Sequence, residues 1–251
     1  MNQPINHHYL PVFYLKQWCG GDGKVVRYYR PYREVVTSAV TPDNTGYEPN
    51  LYTLEGFPAD LRVSIETHYM GREIDQPASE VLSLLLSFKL PTTDAMKRAW
   101  ARFLMSLALR NPQILAVLKA DLRQQLIAQL RIKPGVQEEY RAAGDPRDIT
   151  AWLGDRFPQH LLESSGTLVL PLFIEELSKP FHGMRWFVFD LGRAATPLLT
   201  SDRPFFGQHG SAILAVSSRC RFHPVCSSSR RTRASRSGRL RSAGPPKQSS
   251  A

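Results

Sequence analysis

Apolar residues recur at steps of three and four in two long stretches of the chain. In Ala95–Arg110 they are Trp100, Phe103, Leu104 and Leu107; in Gln113–Ile132 they are Leu115, Leu118, Leu122, Leu126 and Leu130. That period marks one buried face of an α-helix. Thr92, Thr93 and Asp94 are N-cap candidates for the first helix, and Pro112 suits the first turn of the second. Pro134-Gly135 ends the second. Upstream, Ala59–Arg72 predicts a helix, and Pro77 opens another that carries Val81, Leu82, Leu84, Leu85 and Phe88. Downstream, Asp145-Pro146 reads as a cap and first-turn pair for a helix to about Ser164, interrupted at Pro158. Helical character thus extends from Ala59 to about Lys179.

Both flanks switch to β-branched and aromatic residues. Lys24-Val25-Val26-Arg27-Tyr28-Tyr29-Arg30 follows the turn cluster Gly20-Gly21-Asp22-Gly23, and Glu34–Val40 is its expected hairpin partner. Leu51–Leu54 is a further short strand candidate. Late in the chain, Met184–Asp190 has strand composition, Pro197–Thr200 is its expected partner, and Ile213–Val216 is a short apolar strand. Strands, a helical block and strands again predict one α+β domain over 1–216, with N-terminal and C-terminal strands sharing a sheet around the central helices.

Charge sharpens the boundary. The chain of 251 residues carries 32 Lys+Arg against 22 Asp+Glu, a net charge of +10. Nine of the cations lie between Arg219 and Ala251, and the last carboxylate is Asp202. Residues 1–218 therefore hold 23 cations against 22 carboxylates, a net charge of +1. The near-neutral body gives no support to nucleic-acid binding; the basic balance belongs to the Ser/Arg-rich segment 217–251. That segment is expected to be a disordered tail and to arise from out-of-frame translation. A passive tail and a tail that binds phosphate backbones are the alternatives. Within it, Cys220-Arg221-Phe222-His223-Pro224-Val225-Cys226 spaces three soft ligands, but zinc needs a fourth and His209 is the sole neighbour. Apolar runs are too short to span a membrane, the N-terminus lacks a secretory pattern, and Cys19 stands alone in the body. A cytoplasmic protein is expected.

His7-His8-Tyr9-Leu10-Pro11-Val12-Phe13-Tyr14-Leu15 is the densest polar signal. Imidazole binds metals and acts as a base near neutral pH, whereas the plainer reading is a packing histidine. This opening resembles the N-terminal signature of a widespread, mostly bacterial family of uncharacterised proteins, a domain of unknown function. The resemblance continues through Gly23–Tyr28, Glu48–Tyr52, Ile65–Glu73, Phe103–Pro112, Trp186 and Thr200-Ser201-Asp202-Arg203-Pro204, covering roughly 1–206. Further strands expected of the family are missing after the compositional break, which points to a domain incomplete at its C-terminus. The resemblance implies candidate residues and no reaction.

Among these candidates, Glu66 and Glu73 are seven apart and share a face if the segment is α-helical, roughly 10.5 Å apart along the axis. Arg62 is placed to pair with Glu66, making a solvated face the alternative. Arg110, at a helix end, is a candidate anion clamp or a carbonyl cap. Asp202 follows a strand, where site residues and Asx-turns both occur.

Two functions follow. In the first, a metal-assisted hydrolase acting on phosphodiesters uses His7, His8, Glu66 and Asp202 as catalytic groups. His8 and Asp202 hold a divalent metal ion and Arg110 steadies the substrate. In the second, a non-catalytic binding or interaction module uses the His-His-Tyr segment to anchor the N-terminus. No P-loop, Rossmann or catalytic-triad pattern occurs. A nucleic-acid partner acting through the tail is a third possibility.

Overall fold

The four residues expected to form the buried face of one helix, Trp100, Phe103, Leu104 and Leu107, lie at the centre of the core. The computed structural model describes residues 4–132, 159–191, 193, 196, 198–208, 211–217 and 220–225. The architecture is α+β. Chain order begins with β1 (Asn6–His8), α1 (Val12–Leu15), β2 (Val25–Tyr29), β3 (Val36–Val40) and β4 (Tyr47–Pro49). A helical block follows: α2 (Ala59–Arg62), a π-helix (Ile65–Asp75), α3 (Gln76–Leu86), α4 (Asp94–Leu109), α5 (Pro112–Ile132) and α6 (Gln159–His182). Strands β5 (Arg185–Asp190), β6 (Phe205–Gln208), β7 (Ser211–Ser217) and β8 (Cys220–Val225) complete it.

Helix α4 packs against α3, α5, α6 and the π-helix. Of its three cap candidates, Thr93 is the N-cap: its hydroxyl accepts from the Met96 amide at 3.2 Å. Pro112 occupies the first turn of α5, where its missing N–H is no loss. The Asn111 side chain accepts from the Gln113 amide at 3.1 Å there. Helices α5 and α6 approach so closely that a Cβ on Gly166 would lie 2.7 Å from Lys119 Cα.

Among the described residues the strands from the two ends do not share a sheet, contrary to the expectation. β1 pairs with β4, β2 with β3, and the C-terminal strands form a separate antiparallel sheet in the order β5-β8-β7-β6. The expected hairpin is β2–β3, with Val25 opposite Val40 and Tyr29 opposite Val36. The expected strand at 213–216 is part of β7. The compositional boundary at 216 falls inside this sheet, because β8 lies beyond it and pairs along β5.

Three further expectations are corrected. Leu51–Leu54 forms turns, because Asn50 adopts a left-handed φ of 56° that breaks the extended chain. Residues 198–200 are not the partner of β5, which is β8. Their polar groups serve the N-terminus: Trp18 Nε1 donates to Leu198 O at 3.1 Å, and Tyr14 and Thr200 hydroxyls lie 2.9 Å apart. The segment 59–72 is not one α-helix. It leaves helical geometry at Val63 (φ −107°, ψ 12°) and resumes as the π-helix. The helix start at Asp145-Pro146 and the break at Pro158 lie outside the described residues.

No helix among the described residues is long and apolar enough to cross a membrane.

Candidate functional site

Gly46 fixes the His-His-Tyr segment. Its carbonyl accepts from the amides of Tyr9 (2.9 Å) and Leu10 (3.0 Å), directly after β1. Its φ of 69° and its packing both require glycine, since a Cβ there would lie 2.8 Å from Leu10 Cβ. The short β1–β4 ladder, with His7 opposite Glu48 and His8 opposite Tyr47, then directs the two imidazoles to opposite faces.

His7 points inward and is fully buried. The Tyr52 amide donates to its Nδ1 at 2.9 Å, so that nitrogen is an acceptor and the proton resides on Nε2. Nε2–H in turn donates to the Pro4 carbonyl at 3.2 Å. The ring stacks on Tyr52 with centroids 5.7 Å apart and planes 10° apart. Burial lowers the pKa of His7 below its ordinary value, and the neighbouring His8 adds to the effect. His8 is half-buried. Its backbone N–H donates to Glu66 Oε1 at 3.2 Å, and its ring Nε2 contacts the Asp43 carbonyl at 3.3 Å. Tyr47 meets the ring edge-on at 5.5 Å. Burial lowers its pKa too.

Beneath these histidines lies a polar cluster carried by the π-helix and α4. Arg110, the C-cap of α4, is fully buried and donates from Nη1 to both Asp75 carboxylate oxygens, at 3.0 and 3.3 Å. Its guanidinium lies 5.6 Å over the Phe103 ring, and its carbonyl accepts from the Tyr52 hydroxyl at 3.0 Å. Burial raises the carboxyl pKa of Asp75, and Arg110 partly offsets this. Burial also pushes the Glu66 carboxyl up to about 7, against the opposing pull of the His8 amide and Arg110. Glu66 Oε2 and Arg110 Nε and Nη2 are buried and have no hydrogen-bond partner among the described residues.

Helix winding explains which carboxylates meet Arg110. A π-helix bonds i to i+5 and turns once in about four and a half residues. Glu66 and Asp75, nine apart, are therefore two turns apart on one face, whereas Glu73 is turned away and is exposed. The α-helical reading had paired Glu66 with Glu73, because seven residues make two turns at about 3.6 per turn. Asp75 was missed for the same reason. Tyr52 and Asn111 were also missed; each acts through chain-distant backbone contacts that leave no periodic trace.

Asp202 is not part of the cluster. Its side chain is exposed, and its carbonyl accepts from Asn111 Nδ2 at 3.2 Å. Its charge acts on Tyr9, whose pKa is raised by burial first and by Asp202 and Glu48 second. Among the described residues no group of three or more His, Cys, Asp or Glu is placed to hold a metal. Cys226 of the Cys-x₂-His-x₂-Cys spacing and its neighbour His209 lie outside the described residues. A cleft of about 410 Å³ sits elsewhere, lined by Asn50, Thr53, Glu55, Lys119, Arg123 and Ser164. None of the sequence candidates lines it.

A family model described as a protein of unknown function, DUF4238, matches residues 6–212. The chain belongs to the DUF4238 family. The match takes in β1, the π-helix and α4, hence every member of the polar cluster of this DUF4238 protein. No curated protein and no solved structure matches the chain.

Proposed function

We propose that this DUF4238 protein is a non-catalytic binding or interaction module of the cytoplasm, in which the His-His-Tyr segment locks the N-terminus onto the helical block. One observation carries this reading. Both ring nitrogens of His7 are engaged by backbone groups in a fully buried stack on Tyr52, so neither is available to a metal or a substrate. Arg110 likewise spends its charge on Asp75 inside the core. Thermal unfolding of His7→Ala and His8→Ala, alongside phosphodiester hydrolysis with divalent metal ions, tests it. Lowered unfolding midpoints with no hydrolysis by the parent protein support the module.

A specific observation favours a second reading, a metal-assisted hydrolase acting on phosphodiesters. Glu66 holds a carboxyl that titrates near neutrality beside the unpartnered face of Arg110, a pairing suited to general acid–base work on an anion. A divalent ion would then be shared by His8 and Asp202. Divalent-dependent hydrolysis abolished by His8→Ala and Glu66→Gln, at unchanged unfolding midpoint, would establish this reading over the first.

We infer from composition that the Ser/Arg-rich segment 217–251 is read out of frame. Resequencing the gene around codons 205–220 tests it: a restored frame encoding alternating apolar residues supports the inference, and its absence overturns it.

A further inference from the structure

The β2–β3 arm is a ribbon of two strands to which no third strand pairs among the described residues, and every residue from Val26 to Thr37 is exposed. An isolated ribbon of this kind is marginal by itself and normally shows water a polar surface. This one shows rings and guanidinium groups. Tyr32 at its tip is 90% exposed and Tyr28 60% exposed. Arg27, Arg30 and Arg33 are exposed alongside them, and among the described residues no ion pair engages any of the three.

The charge is local. Between Asp22 and Val36 lie Lys24 and the three arginines against Asp22 and Glu34, a net charge of +2. The whole of 1–218 carries only +1. The order Arg27-Tyr28-Tyr29-Arg30-Pro31-Tyr32-Arg33 alternates cations with rings along the ribbon. Arg27 already lies 4.6 Å over the Tyr29 ring on one face, and Tyr28 stands on the other, opposite Thr37.

We infer that the β2–β3 arm is the docking element of this module and that its partner is single-stranded nucleic acid. The inference rests on the non-catalytic reading proposed above. Three arginines supply contacts to a phosphate backbone, and Tyr28 and Tyr32 offer faces on which unpaired bases stack. A duplex hides its base faces and would leave the tyrosines idle. An acidic peptide answers the arginines but offers no succession of aromatic bases for the rings to stack on.

The test is fluorescence anisotropy of the full chain with labelled oligothymidylate of about 15 nucleotides, in EDTA. The Arg/Ser string is common to all variants, so differences between them read the arm. Tyr28→Leu/Tyr32→Leu keeps every charge and is expected to weaken binding about tenfold or more, by loss of stacking. Arg27→Gln/Arg30→Gln/Arg33→Gln is expected to weaken binding and to flatten the log–log salt slope by about 2. Binding by the tyrosine variant equal to that of the parent overturns the inference. So does competition by oligoglutamate as effective as by unlabelled oligothymidylate. In parallel samples with divalent cations the oligonucleotide should stay intact. Its cleavage would overturn the non-catalytic reading, while the EDTA series still decides the arm.

Discussion

Two regions of this protein place an arginine against an aromatic ring, with opposite consequences. In the core, Arg110 lies 5.6 Å over Phe103, fully buried and tied to Asp75. On the arm, Arg27 lies 4.6 Å over Tyr29, exposed and without an ion pair among the described residues. Both set a guanidinium over an aromatic ring; their freedom differs. A buried guanidinium has lost its water, so its donors must be met inside the fold, and it serves mainly to hold that fold. An exposed one keeps its charge available to a partner. Residue chemistry alone therefore directed attention to His7 and Arg110, and burial directs it to the arm.

The comparison breaks if a core substitution leaves stability intact. Arg110→Ala is the harshest case, since it orphans Asp75 and opens a hole over Phe103. A loss of about 3 kcal/mol is expected by urea unfolding, the low end for a broken buried pair because Asp75 keeps 22% of its side chain exposed. His7→Phe is the finer probe. It keeps the stack on Tyr52 but leaves the Tyr52 amide buried without an acceptor, at a cost of about 1–3 kcal/mol in the same assay.

Acid titration sharpens the contrast within the cluster. Glu66 has a folded-state pKa of about 7, above its ordinary 4.5, so the folded state holds the proton more tightly. Its favourable contribution is complete below about 4.5 and is lost as pH rises to about 7. His7 and His8 have folded pKa values below 6.5, so their contribution is complete above 6.5 and falls as pH drops below it. The two trends oppose each other on the acid side of neutrality. Glu66→Gln removes one of them, and its unfolding midpoint should fall more steeply between pH 7 and pH 5 than that of the parent. Parallel curves would contradict the burial of Glu66.

The smallest effect is expected on the arm. Tyr28→Leu/Tyr32→Leu should change stability by no more than about 0.5 kcal/mol, because both rings are exposed. A larger loss would show that the arm is part of the folded core.

The core helices were legible in the sequence because their buried residues repeat locally. Trp100, Phe103, Leu104 and Leu107 announce α4, and Thr93 its start. The β2–β3 hairpin was legible from its β-branched and aromatic runs and from the glycine cluster that precedes β2. The rest depends on pairings that leave no local period. Asn6–His8 is too short to signal a strand, and it pairs with residues some forty positions away. The π-register from Ile65 to Asp75 has no sequence mark, and it decided which carboxylate meets Arg110. His7 and Arg110 were recognisable as unusual; that they serve packing required knowing that the Tyr52 amide meets His7 Nδ1 and that Asp75 pairs with Arg110 Nη1.

The central claim is that His7 is a locked structural group, and long-range nitrogen NMR of its imidazole tests it most directly. The account predicts a neutral ring with the proton on Nε2 and a bare Nδ1, still neutral as the pH falls below 6.5 and unmoved by added divalent metal. A ring that titrates freely near 6.5, or whose nitrogens shift on adding metal, would contradict it.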